Sequence, residues 1–280
     1  MKWRSFGTAA WLGWQIESNW TDPFLFAIYS IVKPLTLAGL LVVMFAVATR
    51  SNFESTAFSY MYLGNAFYIY VGAVMTGMAY AIVEDRERYR TLKSVYVAPI
   101  DFRLYLIGRG VARFLTGSAA VLITILFGVL FLHVQIHLSE VRWLLFFATL
   151  VIGVVMLAMM GLMLASIVMV IVHQSWMMGE AIAGALFLFS GAIFPLDVLP
   201  STLKSIGMAM PLTYWLELLR RSLVGRVAKE FPTLLGFTDN QLFIILIGST
   251  VLFGIAALTV FHVTDRRVRE RGLIDRTTNY

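Results

Sequence analysis

Long runs of nearly uncharged apolar residues recur from one end of this 280-residue chain to the other, and they leave few folds open. About 18 or more such residues in a row suffice to cross the hydrocarbon core of a bilayer as a helix. Hydrophobic residues make up 59% of the chain and charged residues 14%. A soluble domain would carry about 45–50% and about 25%. The pattern predicts an all-α polytopic membrane protein forming one unit over 1–280. Its spans are expected at 24–49, 58–83, 104–132, 143–172, 177–194 and 242–263. No short apolar core followed by a small-residue cleavage site opens the chain, so no secretory signal is expected. The chain has no cysteine, which excludes a disulfide framework and a thiolate metal site. The net charge of +6 does not call for nucleic acid, because in a membrane protein the positions of the cations carry the information.

Residues 1–22 precede the first span. At 100° per residue Trp3, Phe6, Ala10 and Trp14 share one face, while Arg4, Thr8 and Gln15 lie on another, as in a helix lying at the membrane interface. Between spans two and three, the 84–103 segment carries Arg86, Arg88, Arg90, Lys93 and Arg103, with Arg109 and Arg113 just beyond it. The tail 264–280 carries Arg266, Arg267, Arg269, Arg271 and Arg276. Arg50 and Arg142 stand almost alone on the other side. The positive-inside rule then places both termini and the 84–103 segment in the cytoplasm of a multi-pass cell-membrane protein. Arg220, Arg221, Arg226 and Lys229 are the exception, since this topology puts them outside.

That exception sits in "SGAIFPLDVLPSTLKSIGMAMPLTYWLELLRRSL", Ser190 to Leu223. Pro195, Pro200 and Pro211 each end or kink a helix there, because proline lacks an amide donor and clashes with the preceding turn. If Leu212 to Leu223 crossed the membrane, the arginine-rich tail would lie outside. The pattern instead predicts two short amphipathic helices over 195–223. One has Leu203, Ile206 and Met210 on a face opposite Lys204 and Ser205. The other has a stripe of Leu212, Trp215, Leu216, Leu219 and Leu223. Glu217 stands four residues before Arg221, the favourable order for a helical ion pair. A re-entrant hairpin and a surface loop both fit. In the hairpin reading, Phe194, Leu199, Met210 and Tyr214, bracketed by Pro195, Pro200 and Pro211, form an apolar gate at the outer exit of a pathway.

This same stretch resembles the signature of type-2 ABC transporter permeases, the membrane subunits of one class of ABC exporter. The resemblance rests on Ser190-Gly191, Phe194-Pro195, Leu199-Pro200, Pro211 to Tyr214, and Arg220 or Arg221. "DPFLFAIYSIVKPLTLAGLLVVMF" is similar to the family's first span, and "EDRERYRTLKSVYVAPI" to its segment after span two. The resemblance implies six spans, an initial interfacial helix and a re-entrant helical pair before the last span. It also implies a dimer of permeases, packed through spans one and five, and a separate ABC ATPase that holds ATP and Mg. Ala183, Gly184, Gly191 and Ala192 would allow close approach of the two copies. Glu84, Asp85, Glu87, Arg88, Arg90, Thr91 and Leu92 are the expected contact with the ATPase, docking by mixed charge. Arg90 is a departure, because the family commonly has a glycine there and glycine permits a tight turn.

No G-x-x-x-x-G-K-[ST] motif is present, so the chain has no nucleotide-binding loop of that type. His133 and His137 have metal-ligand spacing if helical but lack a third ligand, and His173 and His262 stand apart, so no metal site is expected. "NWT" at Asn19 falls on the cytoplasmic side and is not read as a glycosylation acceptor. In span two, Tyr62, Tyr68, Thr76, Tyr80 and Gly72 lie within about 60° of Asn65 on an ideal helix. This stripe suits the wall of a pathway or the packing of helices. Glu180 lies one turn into span five, where a carboxylate is costly and often functional. Methionines at 156, 159, 160, 163, 169, 177 and 178 suit adaptable apolar contacts or core filling. A lipid-modifying enzyme would need clustered His, Asp or Glu at one membrane face, and a secondary transporter would need paired broken spans. Neither pattern is present. The expected cargo is a hydrophobic or amphiphilic drug or lipid, with a lipid-linked glycan as the alternative.

Overall fold

A computed structural model describes residues 2–19, 22–49, 53, 55–134, 136–171, 175–225 and 234–272. Arg50, His173, Arg226, Lys229 and Arg276 lie outside these residues, as do the side chains of Trp3, Arg4 and Asn19. The described residues form helices and connections: α1 Lys2–Asn19, α2 Pro23–Thr49, α3 Thr56–Arg88, α4 Leu92–Val97, α5 Phe102–Phe131, α6 Trp143–Val170, α7 Ser175–Phe189, α8 Ser201–Ala209, α9 Pro211–Val224 and α10 Asp239–Glu270. Five of them, α2, α3, α5, α6 and α10, are long and apolar enough to cross a membrane.

Side-chain contacts give the directions of the helices. Tyr62 of α3 donates to the Thr124 carbonyl of α5 at one end, and Tyr105 of α5 donates to Asp85 of α3 at the other, so α3 and α5 are antiparallel. Phe67 packs on Phe146, and Arg86 reaches the Met169 carbonyl, so α6 runs parallel to α3. Arg142 meets Asp239 at the start of α6 and α10, and Tyr96 contacts both Met169 and Asp265 near their ends, so α10 is parallel to α6. Two parallel neighbours need a return between them. Helix α7 runs antiparallel to α3, with Gly179 against Thr76 and the Ala183 carbonyl accepting from Tyr68.

The boundaries differ from the hydropathy reading where caps and turns intervene. The second apolar helix does not stop at Val83 but continues to Arg88, because its charged end is buried against other helices. The run expected over 177–194 stops at Phe189, since Gly191 takes φ +72° and turns the chain. The last helix begins at Asp239, where Thr238 and Gln241 form a reciprocal capping box, and extends to Glu270. In α1 the packed face is Phe6, Ala9 and Gly13 against Gly108, Arg109 and Ala112 of α5, while Trp14 is exposed. Small side chains let these two helices approach, so this face of α1 is held by close packing, while Trp11 and Trp14 stay exposed.

Helix α9 is the largest surprise of the fold. Every residue from Pro211 to Leu223 is buried. Its apolar stripe joins the core, and Trp215 donates from Nε1 to the Thr149 carbonyl of α6 at 3.0 Å. A side chain at Gly153 would put its Cβ 1.8 Å from that nitrogen, so glycine is what admits the indole. Gly153→Ala should therefore lower stability by about 1–3 kcal/mol through overpacking. Thermal unfolding of the detergent-solubilised protein reads this, and Trp215→Phe in the Gly153→Ala background should recover part of the loss.

Candidate functional site

Two groups of buried charges hold the two ends of the bundle. At one end, the last turns of α3 widen into a π turn over Glu84–Arg88, with Tyr89 N–H bonding the Glu84 carbonyl at 2.9 Å. Three successive side chains of this turn reach two helices, Glu84 and Asp85 to α5 and Arg86 to α6. Glu84 accepts from Arg109 at 2.8 Å and from Arg113 at 3.2 Å. Asp85 accepts from Arg109 and from the Tyr105 hydroxyl, both at 2.8 Å. Arg86 donates to the carbonyls of Val168, Met169 and Ile171, at 3.4, 2.7 and 3.3 Å. A cation there compensates the free carbonyls at the C-terminus of α6. Arg113 also pairs with Glu17 of α1 at 2.7 Å. Burial pushes the Glu17 carboxyl up against the opposing pull of Arg113. The fold thus holds that proton more tightly than the unfolded chain does. This contribution is lost as pH rises from the ordinary carboxylate value through the raised one.

The expected ATPase-facing residues divide here. Glu84 and Asp85 are buried and used internally, so they do not offer the charged docking surface expected of them. Leu92 is buried as well, Glu87 is half-buried, and Arg88, Arg90 and Thr91 are exposed. Arg90 takes φ +52°, the left-handed conformation that glycine adopts freely. The corner expected of a glycine is present with an arginine in it. Thr91 N–H bonds the Asp85 carbonyl at 2.8 Å and closes it. Helix α4 comes next, with Lys93, Ser94 and Val97 at its surface.

At the other end, the proline-broken stretch folds into a cap bonded to itself. Pro211 begins α9, where a missing amide costs nothing. Thr213 and Tyr214 donate back to the Gly207 and Met208 carbonyls at the end of α8, at 2.7 and 2.5 Å. Arg220 donates to the Gly191 and Ala192 carbonyls at 2.8 and 2.7 Å, pinning the turn that ends α7. Arg221 pairs with Glu217 at 2.6 Å, as the spacing predicts, and reaches Asp239 and the Leu234 and Phe237 carbonyls. Arg142 bonds Asp239 and the Arg221 carbonyl. Arg220 and Arg221 are thus internal fasteners and not free loop cations, so they do not count toward the charge of a loop. Of the expected gate residues, Pro211 and Tyr214 are buried, Phe194, Pro195, Leu199 and Met210 are half-buried, and Pro200 is exposed. Gly191 and Ala192 are buried in this cap, so they are not available for contact with a second copy; Gly184 is exposed.

The expected tyrosine stripe of α3 is not one wall. A second π turn, Val71–Thr76, advances each residue by less than an α turn and rotates the rest of the helix out of the ideal register. Tyr62 faces α5, Tyr68 and Thr76 face α7, Asn65 is half-buried, and Gly72 and Tyr80 are exposed. Glu180 is exposed on α7. His133 and His137 lie beyond the end of α5, so their helical spacing is not realised. No group of three His, Cys, Asp or Glu able to hold a metal occurs among the described residues.

Residues 7–224 match the model of the ABC-2 type transporter family. The chain belongs to that family. It is a membrane transporter permease subunit, and the family generally partners with an ABC ATPase. No curated protein matches the permease. The match covers both buried clusters apart from Leu234, Phe237 and Asp239, and it stops short of α10. Sequence reasoning missed Arg109, Tyr105 and Glu17 as partners of the α3 end. The signal was there in the pair of basic residues at i, i+4 on α5, opposite a pair of acids.

Arg109→Met should destabilise the permease by about 3–5 kcal/mol, because it leaves the buried Asp85 carboxylate without its cation and Glu84 with Arg113 alone. The triple change Glu84→Gln, Asp85→Asn, Arg109→Met should restore most of that in thermal unfolding. At the corner, Arg90→Asn should hold stability, whereas Arg90→Val should lose about 1–2 kcal/mol from the left-handed backbone.

Proposed function

We propose that this permease forms the transmembrane part of an ATP-driven exporter in the cell membrane, moving a hydrophobic or amphiphilic drug or lipid outward. It works with a second permease copy. A separate ABC ATPase with its own ATP and Mg binds at the cytoplasmic face, where both termini lie. Six crossings result if α7 completes the return between α6 and α10. The observation that carries this reading is the corner Arg88–Val97. It presents Arg88, Arg90, Lys93 and a Val97 that is 78% exposed, directly beside the charge cluster that ties α1, α3, α5 and α6 together. A push on this corner reaches four helices through stiff, charge-assisted bonds. Tyr62 and Tyr68 spend their hydroxyls on neighbouring helices, which favours an apolar cargo over a glycan needing an aromatic wall.

Val97→Asp should cut co-purification of the ATPase, and ATP-dependent movement of a fluorescent amphiphile in inverted vesicles, by about ten-fold or more, as expected for loss of an apolar anchor. Full retention of both would remove this assignment. For topology, cysteines at the exposed Ser201 and Thr202 should react with an impermeant maleimide from outside the cell. Reaction from the cytoplasmic side alone would reverse the orientation. Thr213 is unsuitable for this test, being buried and bonded to Gly207.

A further inference from the structure

Helix α10 lies beyond the matched residues, yet its cytoplasmic end touches the exposed corner directly. Tyr96 of α4 donates its hydroxyl proton to Asp265 Oδ1 at 2.9 Å. The Arg269 guanidinium sits 5.4 Å from the centre of the Tyr96 ring and bonds Asp265 Oδ2 at 3.1 Å. Below this, Tyr96 packs on Phe102 at 4.4 Å, and Phe102 packs on Phe261 of α10 at 6.3 Å. Burial raises the affinity of the Tyr96 phenol for its proton, so the hydroxyl stays a donor.

We propose that the Tyr96–Asp265 bond makes α4 and the cytoplasmic end of α10 one rigid piece, so that Asp265 is a positioning residue carrying motion of the corner into the last helix. Six residues are too few to hold a helix by themselves, so α4 depends on what its side chains grip. Leu92 is buried and anchors the start. Tyr96, one turn later, is the second anchor, and its polar end is held from α10 and not from the neighbouring α3 or α5. Asp265 is fixed in turn by Arg269, a single helical turn away. Helix α10 then packs along α6, so a displacement of α4 is delivered to that helix pair. The exposed corner thus has two rigid outlets: Asp85 and Arg86 toward α5 and α6, and Tyr96 toward α10. This inference rests on the proposed coupling role only for the source of the motion; the rigid joint is a property of the permease alone.

The two parts are tested separately on full-length permease in lipid nanodiscs. Without any ATPase, Tyr96→Phe and Asp265→Ala should each speed amide exchange across Leu92–Val97 by roughly ten-fold, as expected for loss of a hydrogen bond to a charged group. Asp265→Asn keeps an acceptor and should restore slow exchange, which a general loss of stability would not do. Combining Tyr96→Phe with Asp265→Ala should add nothing further, since both remove the same bond. Exchange unchanged in both single variants overturns the joint. With the co-purified ATPase, spin labels on Ser94→Cys and Glu270→Cys should keep one narrow distance with and without ATP and vanadate. In the Asp265→Ala background the distance should shift with nucleotide. A nucleotide-dependent distance in the otherwise unchanged protein overturns the inference. Failure of any ATPase to bind defeats the coupling role, and the exchange experiment still decides the joint.

Discussion

A charge buried in a low-dielectric bundle has to be matched completely, and Arg109 is where this constraint organises the molecule. Its guanidinium satisfies Glu84 and Asp85 together, while Arg113 links Glu84 to Glu17. Removing Arg109 strands Asp85 and removing Arg113 strands Glu17, so the position of α3 relative to α5 is decided by ions as much as by apolar packing. Apolar contacts between helices in lipid discriminate poorly between registers, because lipid tails offer equivalent contacts. Charge-assisted bonds have direction and fix a register. The π turn at Glu84–Arg88 serves the same end, since three adjacent residues of it bond two different helices, Glu84 and Asp85 to α5 and Arg86 to α6.

The opposite end solves a related problem by different means. A thrice-broken segment has many carbonyls without helical partners. Here those of Gly191, Ala192, Gly207 and Met208 accept from Arg220, Thr213 and Tyr214, all on the one helix α9. The residues that make the segment recognisable are the same ones that close it: Pro211 starts the helix, Thr213 and Tyr214 bind back to α8, and Arg220 holds the turn at Gly191. Because the donors are internal, irregular backbone can sit beside apolar helices without water.

Hydropathy made the long helices legible, since α2, α3, α5, α6 and α10 each carry an apolar run long enough to span. It placed the ends less well, because ends are set by caps and turns such as Thr238–Gln241 and Gly191, which leave no mark on an average. Spacing revealed the Glu217–Arg221 pair, whose partners are four residues apart. It could not reveal Arg109 with Glu84, whose partners are joined only by folding. The stripe on α3 misled for two reasons: about 60° either side of Asn65 is wide enough for Tyr62 and Tyr68 to address different helices, and an ideal periodicity cannot anticipate the π turn at Val71–Thr76 that rotates Tyr80. The charged segment at the end of α3 reads as surface from its composition, whereas burial depends on whether a neighbour supplies matching charges. Glu84 and Asp85 have such neighbours, and Arg88 and Arg90 remain exposed.

The burial of α9 also has a consequence for how the chain is made. Its charges find partners on both sides of it in the sequence: Gly191 and Arg142 come earlier, whereas Leu234, Phe237 and Asp239 come later. During synthesis, α9 leaves the ribosome while half of its binding site does not yet exist. Its final seat is completed only after residue 239 has emerged and α10 has begun to enter the membrane. Until then an amphipathic helix with two arginines has its most favourable place at the lipid headgroups. Insertion of the last helix is therefore the step that locks this cap, and a chain truncated before it would carry an open one.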